Sequence, residues 1–134
     1  MATRANICVL DINLNKYTME DLEKHSSLII YNHWDGYPEG LGEILKAFVD
    51  SDVGKGRFYD ESYFKASLVT WVCDRNRQDM IDKCNNTGFG IQDYFNADID
   101  YLYVIDMANK ELICYEAYGT IIDEPVFVHK IEGV

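Results

Sequence analysis

Two short apolar runs with β-branched residues open the chain, ANICVLDIN at 5–13 and SLIIYNHW at 27–34, and both read as strands. Between them KYTMEDLEKH places Thr18 three residues before Asp21, a capping pattern for about two helical turns. From Leu41 the period changes. Leu41, Ile44, Leu45, Phe48 and Val49 recur at i, i+3, i+4, i+7 and i+8, one stripe of an amphipathic helix that begins just after Pro38 and Gly40. Asp50, Ser51, Asp52, Gly54 and Gly56 break that stripe, so DVGKGRFYDES reads as a loop. The following segment, ESYFKASLVTWVCDRNRQDMI, carries two signals. Phe64, Leu68, Trp71 and Val72 suit a helix, whereas LVTWVC alone suits a buried strand; the length of the segment favours the helix, ended by Asn85, Asn86, Thr87, Gly88 and Gly90.

The last third reads most plainly. DYLYVID at 100–106, the polar turn MANK and ELICYEAYG at 111–119 form a hairpin, and EPVFVHKIEG adds a final strand with Pro125 at its start or on an edge. The pattern therefore predicts one α+β domain over residues 1–134: an antiparallel sheet of about five strands with two main helices packed on one face. A chain of 134 residues has room for one core, and it holds no internal repeat or low-complexity tract.

Composition narrows the function. A net charge of −11, from 12 basic and 23 acidic residues, repels nucleic-acid backbones and anionic membranes, so neither a nucleic-acid polymer nor a membrane is expected as partner. A small anion remains compatible, because Arg4, Arg57, Arg75 and Arg77 could make one pocket locally positive. Ten Tyr, six Phe and two Trp supply flat rings for a core or a ligand. Cys8, Cys73, Cys84 and Cys114 lack zinc-ligand spacing, and no apolar segment is long enough for secretion or membrane insertion. Free thiols in a reducing cytoplasm are the expectation, with no metal and no cofactor.

The richest stretch is HWDGYPEGLG at 33–42. Gly36, Gly40 and Gly42 permit close backbone approach, and the start of the following helix offers N–H groups that suit a phosphate; there is no GK[ST] or GxGxxG. The same stretch reads as a strand-to-helix corner, with Trp34 and Tyr37 packed beneath it and Asp35 and Glu39 capping the helix. His33, Asp35 and Glu39 together are a weak acid–base or metal set, since a lone His beside a carboxylate is more often structural. In DRNRQD, Arg75 continues the Phe64, Leu68, Trp71 stripe, which sets its guanidinium at the edge of the buried face, where it meets a carboxylate or a pocket. On a helix Arg77 points about 200° away from Arg75. In CNNTGFGIQDYF, Asn85 can read a base edge and Phe89 can stack on one, while Asn-Asn-Thr-Gly is equally a helix end. No nucleophile motif occurs, so no catalytic residue is assigned and an enzyme is not expected.

The order of these segments, with HWDGYPEGLG at 33–42 and DIDYLYVID at 98–106 as the specific parts, resembles a group of small proteins of bacteriophages and prophages. Within that group it is similar to the Thoeris anti-defence sponges, which sequester a cyclic ADP-ribose signal without cleaving it. The resemblance implies a cytoplasmic anti-defence protein of the infected host that binds a small cyclic nucleotide. Trp34, Tyr37, Arg57, Arg75, Arg77, Asn85 and Phe89 are then the candidate ligand contacts. Enclosing such a ligand with so short a chain implies a homo-oligomer. Two rivals stand beside it: an acidic inhibitor of a host defence protein, of the anti-restriction or anti-CRISPR type, and a small hydrolase or transferase using His33 and Asp35.

Overall fold

The computed structural model describes residues 3–14, 17–77, 88–117 and 124–134, with the side chains of residues 76 and 77 outside that set. In chain order the elements are β1 (Ala5–Leu10), α1 (Met19–His25), β2 (Leu28–Asn32), a π-helical turn (Pro38–Gly42), α2 (Glu43–Asp50), α3 (Asp52–Gly56), α4 (Glu61–Arg77), β3 (Phe89–Gln92), β4 (Tyr101–Asp106), β5 (Glu111–Glu116) and β6 (Pro125–Lys130). The six strands form one sheet in the order β3-β2-β1-β4-β5-β6.

The expected all-antiparallel sheet is corrected at its centre. β1 and β4 run parallel, with Ala5 opposite Tyr101 and Leu10 opposite Asp106, while every other neighbouring pair is antiparallel. All six residues of β1 are buried, as are five of the six in β4. Such strands need apolar side chains on both faces, which is why they read as continuous runs rather than alternations. Asn6, the polar interruption in β1, is satisfied inside: its Nδ2 donates to Ile30 O at 3.1 Å and its Oδ1 accepts from Asn96 N at 2.9 Å.

Each face of the sheet has its own core. On one, Ile7, Val9, Ile30, Tyr103 and Ile105 pack against Leu45, Phe48 and Val49 of α2 and Phe64, Leu68 and Val72 of α4. On the other, Cys8, Leu10, Ile29, Leu102 and Val104 meet Leu22 of α1 and Ile99. The two main helices therefore share one face, as expected, and the short α1 with its flanking segments covers the second. Thr18 caps α1 by accepting from Asp21 N at 3.1 Å.

Segment 61–77 is helical, and Asn85 to Thr87, its expected end, lie outside the described residues. Two stretches expected as loops hold elements instead. Ser51 Oγ accepts from Gly54 N at 3.0 Å and starts the single turn of α3, and Phe89–Gln92 forms the edge strand β3 against β2.

The 33–42 corner is built by close backbone contacts. Asp35 takes φ of +54°, a left-handed conformation that Asp tolerates better than most residues. Its carbonyl accepts from Leu41 N at 2.9 Å, and Gly36 N donates to Thr3 O at 2.9 Å. A Cβ on Gly40 would stand 2.5 Å from Asp35 O, and one on Gly36 would stand 2.7 Å from Thr3 O. Gly40→Ala is accordingly expected to cost about 1–3 kcal/mol of folding stability, the usual range for forced overpacking. Chemical denaturation of the variant checks this; a midpoint equal to the parent's would mean the corner gives way freely.

Candidate functional site

The corner lacks the features expected of a phosphate loop. N–H groups of Gly40, Leu41, Gly42 and Glu43 are already given to Tyr37 O, Asp35 O, Tyr37 O and Gly40 O. An anion would find these donors spent. Two readings of this stretch are also corrected. Trp34 and Tyr37 are not packed beneath the turn but are 50% and 38% exposed. Neither the π-helical turn nor α2 has a side-chain cap, so Asp35 and Glu39 do not serve as one. Asp35 instead accepts from the Tyr37 hydroxyl at 3.4 Å, and that carboxylate raises the Tyr37 phenol above its ordinary value.

His33 turns toward Tyr31, whose hydroxyl lies 2.6 Å from its Nδ1, and its ring meets Trp34 edge-on at 4.5 Å. The Trp34 ring in turn lies where Gly88 passes: a Cβ on Gly88 would stand 2.5 Å from Trp34 Cδ1. The His33 and Asp35 partners described here are thus two separate tyrosines, rather than each other. Among the described residues no group of three His, Cys, Asp or Glu is gathered as a metal would need. The thiols of Cys8 and Cys114 are pushed up to about 12 by burial, which leaves them poor nucleophiles at neutral pH. Asp106, a buried carboxylate, accepts from the Tyr17 hydroxyl and from Asn109 N at 3.0 Å, so it secures the β4–β5 turn.

Rings and guanidinium groups do converge beside α4. A groove of ≈ 330 Å³ is lined by Val53, Tyr63, Ser67, Trp71, Asp74 and Arg75 among others. The Arg75 guanidinium lies 3.6 Å above the Trp71 ring, and its Nη1 donates to Trp71 O at 3.3 Å. Trp71 is held from below, its Nε1 donating to Ile44 O at 3.0 Å and its ring packed against Phe48. At the rim, Arg57 stacks on Tyr63 at 4.7 Å and reaches Asp60 at 3.8 Å. A guanidinium laid on a ring keeps its charge while its conformational freedom is reduced, which suits it to receive an anion.

Of the residues nominated from sequence, Arg75 lines this groove and Arg57 flanks it. Trp34, Tyr37 and Phe89 do not line it; Phe89 is a β3 residue opposite Asn32, packed against the helix-covered core. Asn85 and the Arg77 side chain lie outside the described residues. Tyr63, Ser67, Trp71 and Asp74 were not nominated. Tyr63 and Trp71 stand eight residues apart on one helix, and that spacing is the signal that could have marked them as facing the same way.

A smaller recess of ≈ 160 Å³ between the end of β1 and the start of α4 is lined by Asp11, Glu61, Tyr59, Phe58 and Met107. Its two carboxyl groups share a hydrogen bond. Desolvation, that bond and the Glu61 charge raise Asp11, while bonding to Lys65, at 3.2 Å, helps lower Glu61. A raised carboxyl stabilises the fold only in acid and loses that contribution as pH rises through its folded pKa; a lowered one acts in the opposite sense. Asp11→Asn, which can still donate to Glu61, is therefore expected to be more stable than the parent at neutral pH, within the ~1 kcal/mol usual for exposed pairs. That advantage should vanish toward acid in thermal melts across pH, and a variant less stable at neutral pH would show that the two carboxyl groups do not oppose each other.

No helix among the described residues is long and apolar enough to cross a membrane. No family model matches the chain, and neither a curated protein nor a solved structure was found to resemble it.

Proposed function

We propose that the protein captures a small anionic cyclic nucleotide, of the cyclic ADP-ribose kind, in the α4 groove and holds it without chemical change. The observation that carries this reading is the pair of guanidinium-on-ring stacks, Arg75 on Trp71 and Arg57 on Tyr63, at one groove of a chain with net charge −11. In a chain with 23 acidic and 12 basic residues, guanidinium groups laid over rings offer a phosphate and a purine complementary groups together. Ser67 and Asp74 add polar groups within the same groove, suited to ribose hydroxyls or an exocyclic amine.

The role that fits such binding is sequestration in the cytoplasm of an infected bacterium, silencing a nucleotide alarm by mass action. The groove is open along one side, and a second copy of the chain is part of this proposal as the wall that closes it.

The test is retention and release. Protein incubated with cyclic ADP-ribose isomers is passed through a filter, the retained fraction is heated, and the released compound is identified by mass spectrometry. Intact ligand returned on heating supports capture. A cleaved product would mean an enzyme, and no retention would favour the acidic inhibitor of a host protein. Sedimentation velocity on the same samples gives the subunit count.

A further inference from the structure

The α4 groove holds a carboxylate as well as guanidinium groups, and an anionic ligand has to come to terms with it. Asp74 directly precedes Arg75 and lines the same groove. Its side chain is exposed, and among the described residues no hydrogen bond or ion pair engages it. One turn earlier on the same side of α4, Thr70 Oγ1 donates to Ala66 O at 3.0 Å, so its hydroxyl has only lone pairs left to offer the groove. Asp74 and Thr70 thus present acceptors and no donor. Phosphate oxygens, which are acceptors too, find no partner there. Arg75, laid on Trp71, presents N–H donors beside them. The groove therefore asks for a ligand whose acceptor-rich part sits next to a donor-rich one.

A ribose beside a phosphate meets that demand. Its cis-diol carries two O–H donors on adjacent carbons, one for each oxygen of a carboxylate, and dinucleotide-binding folds give a ribose hydroxyl to a carboxylate in this way. Adenine fits less well, because its amine stands next to ring nitrogens whose lone pairs would face Asp74 and Thr70. We infer that Asp74 is a specificity-determining residue, its carboxylate accepting both hydroxyls of a ribose cis-diol while Arg75 takes the neighbouring phosphate. The inference rests on the nucleotide reading of the α4 groove and narrows the contact of Asp74 to ribose.

Two roles for Asp74 predict opposite signs. A carboxylate that merely stands beside an anion repels it, so Asp74→Asn would tighten binding. A carboxylate that receives a diol loses two charge-assisted bonds on the same change, so binding weakens. Calorimetric titration uses the N1-linked isomer of cyclic ADP-ribose, in which both riboses keep their diols, and its analogue lacking both ribose 2′-hydroxyls. The parent protein is expected to prefer the hydroxylated ligand by about ten-fold, and Asp74→Asn to bind it about ten-fold more weakly with that preference gone. Equal binding of the two ligands by the parent, or unchanged or tighter binding by Asp74→Asn, would overturn the role of Asp74 and leave nucleotide capture standing. Binding of neither ligand by the parent would overturn the nucleotide reading and this inference with it. The comparison of the two ligands on the parent decides the matter even if the variant fails to fold.

Discussion

Phe48→Ala is expected to remove about 3–5 kcal/mol of folding stability, the range for truncating a fully buried aromatic ring. Phe48 has no exposed surface and stands where α2, α3 and α4 meet. Its ring contacts Phe64 at 5.2 Å and Trp71 at 5.6 Å, both inclined at 61°, an edge-on geometry that adds attraction beyond buried area. A domain of this size holds about 5–15 kcal/mol in total, so the variant would fold only marginally. Urea denaturation read by tryptophan fluorescence measures it, and a loss under about 2 kcal/mol would mean the neighbours collapse into the space. The milder Phe48→Leu should keep the fold but loosen Trp71, the ring on which Arg75 rests. A change in Trp71 emission without loss of cooperativity is the expected sign, and it would tie core packing directly to the groove.

Arg75→Ala is expected to weaken capture of a cyclic ADP-ribose isomer by about 10- to 150-fold, since a charge-assisted hydrogen bond contributes about 1.5–3 kcal/mol and every 1.4 is ten-fold. Arg75→Lys should restore only part of this, because an ammonium neither stacks flat on Trp71 nor presents a planar fork. Arg57→Ala should cost less, as that side chain is half exposed and already shared with Asp60. Calorimetric titration of the three variants gives the order. Equal affinity for parent and Arg75→Ala would remove Arg75 from the site and with it the main support for the α4 groove as the nucleotide site.

Local rules were readable in the chain wherever a single element satisfies them. Thr18 with Asp21 marked the start of α1, the Leu45, Phe48 and Val49 spacing marked α2, and MANK between two apolar runs marked the β4–β5 hairpin. Arg75 was legible as a residue at the edge of the buried face, because it extends the Phe64, Leu68, Trp71 stripe, but the stripe left open whether it meets a carboxylate or a pocket. HWDGYPEGLG was legible as a corner, but not the fate of its rings. Whether Trp34 is covered depends on what passes over it, and that is Gly88, 54 positions further on in the chain.

What the sequence by itself determined is the class, an α+β domain with two main helices on one face, and a net charge of −11. The tertiary structure alone decided that β1 and β4 lie side by side and parallel and that FGIQ closes the sheet as β3. These are pairings between residues separated by tens of positions. Helix periodicity and turn chemistry act over a few residues, whereas strand neighbours are chosen by which faces must be buried together once every helix and turn has taken its place.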